Sequence, residues 1–253
     1  MQKTTTVSTW KTECNKFQRL ETGFYPNSAS IVDFRISALL ITIILNVLQH
    51  IPTSWPIQIF HSKQNFYFLS NSTGLKPYVS TGKIILEELD ELSITTNWQD
   101  FTNRLFTNLS FWQRIRSEKV LVFQYDSVFC SNSAHKIQDY LQWDYVGAPW
   151  HSDLHAPVPV GNGGFSLRSR SKTLELLKQM TYDSSLPEDV WYAVHLPKVN
   201  ASVAPEHIAR TFSAESVFYE TPMGVHKLIM NPTDTKKLCE ACPEARFIPP
   251  YCK

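Results

Sequence analysis

Apolar positions along this chain change period several times, and each change predicts an element. "SASIVDFR", residues 28–35, is a short strand closing on Asp33 and Arg35. Residues 36–50 are apolar on nearly every face, which predicts a buried helix. "WPIQIFHS" (55–62) and "GKIILEEL" (82–89) are two further strands. In "NWQDFTNRLFTNLSFWQRI" (97–115), Trp98, Phe101, Leu105, Leu109 and Trp112 recur at helical spacing. "EKVLVFQYDSVFC" (118–130) opens as a buried strand at 120–123, breaks on Gln124, Tyr125, Asp126 and Ser127, and turns apolar again at Val128 and Phe129. A helix is expected near 134–141. Strands alternating with helices predict βα units around a mainly parallel sheet. Such sheets bind ligands beyond the carboxyl ends of their strands, which puts Asp126 at the crevice.

The second half is more broken. "WDYVGAPW" (143–150) and "VGNGGFSLRSR" (160–170) are strand-like but interrupted by Gly and Pro. "SKTLELLKQM" (171–180) predicts a helix capped by Ser171. "LPEDVWYAVHL" (186–196) has Pro187 in the first helical turn with Glu188 and Asp189 behind it. No linker separates the halves, so residues 29–253 are read as one domain and the polar residues 1–28 as a loosely attached arm.

Composition adds exclusions. The chain is 43% hydrophobic and 19% charged, with a formal net charge of +1. No basic stripe of the kind that holds nucleic acid is present. The greasiest stretch, 36–48, is shorter than the roughly 20 residues of a membrane span. No signal peptide is visible, so the cytosol is the default compartment and the secretory pathway the alternative. Five cysteines, with Cys239 and Cys242 in a CxxC and Cys252 beyond, suggest free thiols plus at most one tail disulfide; zinc lacks a fourth ligand. Asn71, Asn108 and Asn200 each open a glycosylation sequon, a number close to chance.

Each candidate for chemistry has a plain structural explanation beside its functional one. Asp126 is a turn residue, or a carboxylate over a nucleotide crevice that takes a cation bridging phosphates. "GNGGF" (161–165) is a tight hairpin, or a wall that a ligand approaches closely. Glu188 and Asp189 answer the helix dipole, or one of them is a general base. His226 is structural, or a nitrogen ligand to the cation at Asp126. His151, Asp153 and His155 share one face of any strand, but flanking prolines favour a loop over a metal triplet.

In order, "KVLVFQYDS", "WDYVGAPW", "VGNGGFSLRSR", "PEDVWY", "FSAESVF", "PMGVHK" and "CPEARFI" resemble a family of unknown function with glycosyltransferase-like character. The order is also similar to that of metal-dependent transferases of the GT-A, nucleotide-diphospho-sugar transferase fold. That resemblance implies an α/β fold with a mixed, mainly parallel central sheet flanked by helices. It implies that Asp126 takes a divalent cation (manganese or magnesium) and the pyrophosphate, with His226 as the late metal ligand. Gly163 and Gly164 would lie against the substrates, and Asp189 (or Glu188) would be the base. Gln124 stands where the first carboxylate of a DxD would be, so one acid rather than two faces the cation. Asp33 and Arg35 would touch the nucleotide, or simply pair with each other, and Arg168 would stabilise the leaving diphosphate. Trp150 and Trp191 would stack on sugar faces, or fill the core. The expected activity is inverting transfer of a sugar from a UDP- or GDP-linked donor to a hydroxyl acceptor. The alternatives are a non-catalytic nucleotide- or glycan-binding protein, and a metal-dependent hydrolase using Asp126 with His151 and His155.

Overall fold

A computed structural model of the chain describes residues 23–89, 97–248, 250 and 252. Its first part runs β1 (Tyr25–Val32), α1 (Ala38–His50), β2 (Ile57–His61), α2 (Lys63–Asn71), α3 (Lys76–Ser80) and β3 (Ile84–Glu88). Next come α4 (Trp98–Phe106), α5 (Leu109–Arg114), β4 (Ser117–Phe123) and β5 (Ser127–Phe129). The second half contributes β6 (Tyr145–Gly147), β7 (Phe165–Ser169), α6 (Arg170–Gln179) and α7 (Glu188–His195). It closes with α8 (Glu206–Phe212), β8 (Ser213–Ala214), β9 (Gly224–His226) and α9 (Pro232–Ala241).

The main sheet is mixed and has six strands in the order β3-β2-β1-β4-β7-β6. The four strands of the first half are parallel, and β7 and β6 complete the sheet through antiparallel pairings. A smaller sheet has the order β5-β9-β8. Alternation within each strand explains why helices cover both faces. Ile31, Ile59, Leu121 and Phe123 pack with Leu40, Ile43, Ile44 and Val47 of α1 in one core. Their chain neighbours Val32, Phe60, Val120 and Val122 pack with Phe101, Leu105, Phe111 and Trp112 of α4 and α5 in another.

Several expectations are corrected. The helix predicted over 97–115 is two helices, because the Asn108 Oδ1 accepts from the Ser110 and Phe111 N–H groups and starts α5 afresh. The helix expected near 134–141 is one 3₁₀ turn, Ile137–Tyr140. Ser171 does not cap α6; that helix begins at Arg170, and the Ser171 hydroxyl donates to Glu118. Pro187 sits at the N-cap of α7 rather than in its first turn. β1 starts at Tyr25, inside the stretch read as an arm, and the expected arm's residues 1–22 lie outside the described ones. A tail disulfide, Cys239–Cys252, is present as expected, but a second, Cys130–Cys242, joins two cysteines expected to be free, while Cys14 lies outside the described residues. Among the described residues no helix is long and apolar enough to cross a membrane.

Candidate functional site

β4 stops on a polar cluster because the chain there changes sheets. The Ser127 N–H and hydroxyl both donate to the Gln124 carbonyl, at 3.1 and 2.7 Å, closing a turn that delivers the chain into β5. The turn lies where the strand order reverses, with β2 and β3 on one side of β1 and β4 on the other. A cavity of about 360 Å³ opens there. Asp33, Arg35, Asp126, Trp150, Gly163, Gly164, Glu188, Asp189 and His226, all singled out from sequence, line it. His151 and His155 do not, which removes the convergence on Asp126 that a hydrolase would need. They flank an exposed 3₁₀ turn, Ser152–Leu154, where His151 pairs with Asp153.

Asp189 and Glu188 are neighbours with different surroundings. The Asp189 carboxylate faces the cavity and accepts from the Gly163 and Val190 N–H groups at 3.0 and 2.8 Å. Burial, and then the Glu188 charge beside it, raise its pKa to about 6. Glu188 is instead committed to a bidentate pair with Arg168, Nη1–Oε2 2.9 Å and Nη2–Oε1 3.0 Å. Arg168 is only 1% exposed and lies against the rings of Phe106, Trp112, Tyr145 and Tyr192. Burial works against its charge, and Glu188 more than offsets that, so the guanidinium stays protonated. Arg168 is therefore walled off from any diphosphate and does not line the cavity, a correction to its expected role. It acts from behind: its Nε donates to Ser166 Oγ, whose hydroxyl donates to the Gly163 carbonyl. Trp191 is also corrected. Its ring is buried against Tyr182, Tyr192 and His195, so it fills the core and offers no face to a sugar.

His226 reaches the cavity through strand pairing, which sets it opposite Ser127. Its Nε2 lies 3.4 Å from Asp126 Oδ1 and its Nδ1 3.3 Å from Glu215 Oε1. Burial depresses its basicity, but the two carboxylates outweigh burial and lift its pKa to about 10. Burial likewise pushes Asp126 upward, and His226 more than reverses it. The imidazole lies flat against the glycine wall: a Cβ on Gly164 would stand 2.1 Å from His226 Nε2. A Cβ on Gly163 would stand 2.7 Å from Glu188 Oε1. Both positions exclude any side chain.

Sequence reasoning missed Glu215, Asn162, Tyr125 and Lys227, all of which line the cavity. Asn162 joins two of the parts, its Nδ2 donating to Glu215 Oε2 and its Oδ1 accepting from the Gly164 N–H. "FSAESVF" and "GNGGF" contained these residues, but a lone Glu and Asn carry no spacing signal. The Arg35 guanidinium lies 4.1 Å from the Tyr125 ring centre. The Arg35 N–H also donates to Asp33, whose pKa burial raises.

Among the described residues no cluster of three or more His, Cys, Asp or Glu side chains is arranged to hold a metal. The pair at hand can share an ion only once His226 gives up the proton that Asp126 and Glu215 stabilise on it. Buried His226 Nε2 has no aligned hydrogen bond and faces the Asp126 carboxylate across the cavity wall. A carboxylate and a neutral imidazole are donors of the type that manganese or magnesium accepts.

A family model described as "Protein of unknown function (DUF5672)" matches residues 86–226. The chain belongs to that family. Among curated proteins, none matches it. Of solved structures, this DUF5672 member is similar to a mannosyltransferase from Pyrobaculum calidifontis, PcManGT, described in complex with GDP-Man and Mn2+. That match has 10% identity and a TM-score of 0.48, over 71% of this chain and 54% of the other. It is also similar to the glycosyltransferase GlyE of Streptococcus pneumoniae TIGR4 in its apo form. There the identity is 13% and the TM-score 0.47, over 81% of this chain and 55% of that one. The chain thus spans about half the length of the solved structures it matches. The functional reading rests on the cavity itself.

Proposed function

We propose that this DUF5672 protein has a GT-A-like fold and transfers a sugar from a nucleoside diphosphate donor to a hydroxyl acceptor. The observation that carries the reading is a convergence. Asp126, Gly163, Gly164, Asp189 and His226 come from separate stretches of chain and meet on one cavity at the reversal of strand order. Asp189 is the general base: its carboxylate is oriented by two backbone N–H groups and its pKa sits near neutrality, where proton removal is efficient. Direct attack by a hydroxyl deprotonated there displaces the diphosphate from the opposite face and inverts the anomeric centre. Asp126 and His226 would hold a divalent cation, which when bound stabilises the charge that develops on the leaving group. Arg35 and Lys227 line the same cavity and add positive charge toward that group. Glycine at 163 and 164 lets the donor lie on the backbone.

Thermal denaturation with UDP-, GDP- and other nucleotide sugars, with and without manganese, tests the reading. A donor at 100 times its Kd adds about 2.7 kcal/mol of stability. The expected result is a rise in melting temperature with one nucleotide class, larger with manganese. No rise with any nucleotide overturns it. A rise without turnover of the sugar returns the non-catalytic binding protein instead.

A further inference from the structure

Three Asn-X-Ser/Thr stretches begin at Asn71, Asn108 and Asn200, and none of these asparagines lines the cavity. We propose that Asn71 carries an N-linked oligosaccharide, added in an oxidising secretory compartment. The disulfides supply the compartment. Cys130 and Cys242 are bridged across 112 positions and Cys239 and Cys252 across 13, and such bonds form and persist where thiols are not kept reduced. Asparagine-linked glycans are added in the same lumen.

The surface around Asn71 supplies the residue. Asn71 ends α2 with its side chain in solvent, and Thr73, the hydroxyl residue of its sequon, is exposed as well. One helical turn earlier stands Tyr67, 76% exposed, and beside it Phe66, 47% exposed. Residues four apart share a helix face, so a sugar on Asn71 would lie over the Tyr67 ring and cover an aromatic patch otherwise left in water. Asn71 Nδ2 donates to the Tyr67 carbonyl at 3.2 Å and to the Ser70 hydroxyl at 3.3 Å; a glycosylated amide keeps one N–H, so one of these two exposed contacts is given up. Asn108 and Asn200 are exposed too, but in each of their sequons a side chain already serves the fold. The Asn108 amide oxygen caps α5, and the Ser202 hydroxyl of the third sequon donates to Asp144.

The transfer balances with a lipid-linked diphosphate oligosaccharide as co-reactant. A C–N bond forms between Nδ2 and the anomeric carbon, the C–O bond breaks with its electron pair leaving on the lipid diphosphate, and the amide proton passes to a base of the transferase and on to solvent. The cell's own oligosaccharide transferase performs this step.

The test is a non-reducing peptide map of the full chain from the cells that make it, with and without PNGase F. The expected map shows the Cys130–Cys242 link and a glycan on Asn71, released by the enzyme with conversion of that position to aspartate. Expressed in the same cells, Thr73→Ala loses the glycan mass and Thr73→Ser retains it, and the retained disulfide link reports a folded chain in both. An unmodified Asn71, whether thiols are free or paired, or glycan only on Asn108 or Asn200, overturns the proposal.

Discussion

Asp189 and Glu188 are adjacent acids with opposite fates, and the difference sets the pH dependence of the site. Glu188 is neutralised by Arg168, while Asp189 lies largely buried at the cavity and is held by two N–H groups. Asp189→Asn removes the proposed base and keeps only one of those contacts, since its amide nitrogen cannot accept an N–H, so turnover should fall by about 10²- to 10⁴-fold while the donor still binds. Turnover at the wild-type rate in the variant rules out the assignment. The pH–rate profile follows. With the pKa at about 6, kcat/KM should rise with pH and reach half its plateau near pH 6. The same shift acts oppositely on stability. Because the folded value is raised from the ordinary 3.8, the native state keeps a proton that the unfolded chain has already released. Asp189 therefore favours folding below that range, a contribution lost as pH rises through about 6. At this scale much of the site was legible. Asp126 showed itself by interrupting an apolar run, and the glycine pair and the helix-start acids by local chemistry. Glu215 and Asn162 were invisible, since their roles exist only once β8, β9 and the glycine loop are brought together.

At the scale of elements, one ion pair fastens α7 to β7. Arg168 on the strand grips Glu188 at the helix start, and through Ser166 and Gly163 it also fixes the loop that orients Asp189. Breaking a buried pair by deleting one partner strands a charge, at a cost of roughly 3–5 kcal/mol. Arg168→Ala should lose about that much stability in urea unfolding, whereas Arg168→Met combined with Glu188→Leu should lose far less. Equal losses in the single and double variants would show that packing of the aromatic shell, not the charge pair, holds the helix. The roles expected for Arg168 and Trp191 failed for a reason belonging to this scale. Sequence places both next to site residues, but a strand alternates faces and a helix rotates, so a neighbour in the chain can point into the core. The strands of the parallel half were readable from their apolar runs. The break at Asn108 was not, because helical spacing continues through the cap.

Over the whole molecule, the cavity depends on two sheets meeting. Asp126 sits in the turn that leaves the large sheet, and β5 then pairs with β9 to bring His226 alongside. The far end of β5 is tied by Cys130 to Cys242, just past α9, so the strand pair that sets the Asp126–His226 spacing is pinned from the carboxyl-terminal side. Cysteine count could not show this, because the partners are 112 positions apart and their meeting is a product of the fold. In the chain-entropy account, closing a loop of about 100 residues limits the unfolded state enough to add about 4.7 kcal/mol, and one of about 15 residues adds about 3. Cys130→Ser with Cys242→Ser should therefore lower unfolding free energy more than Cys239→Ser with Cys252→Ser. It should also weaken the proposed manganese-dependent donor binding, because it frees the strand that sets the spacing of Asp126 and His226. The tail pair should leave donor affinity as it is. Denaturant unfolding and donor titration of the two double variants check both halves of the statement. If the two pairs prove equivalent in stability and in donor affinity, the long bridge is only a tether for the carboxyl terminus and does not brace the site.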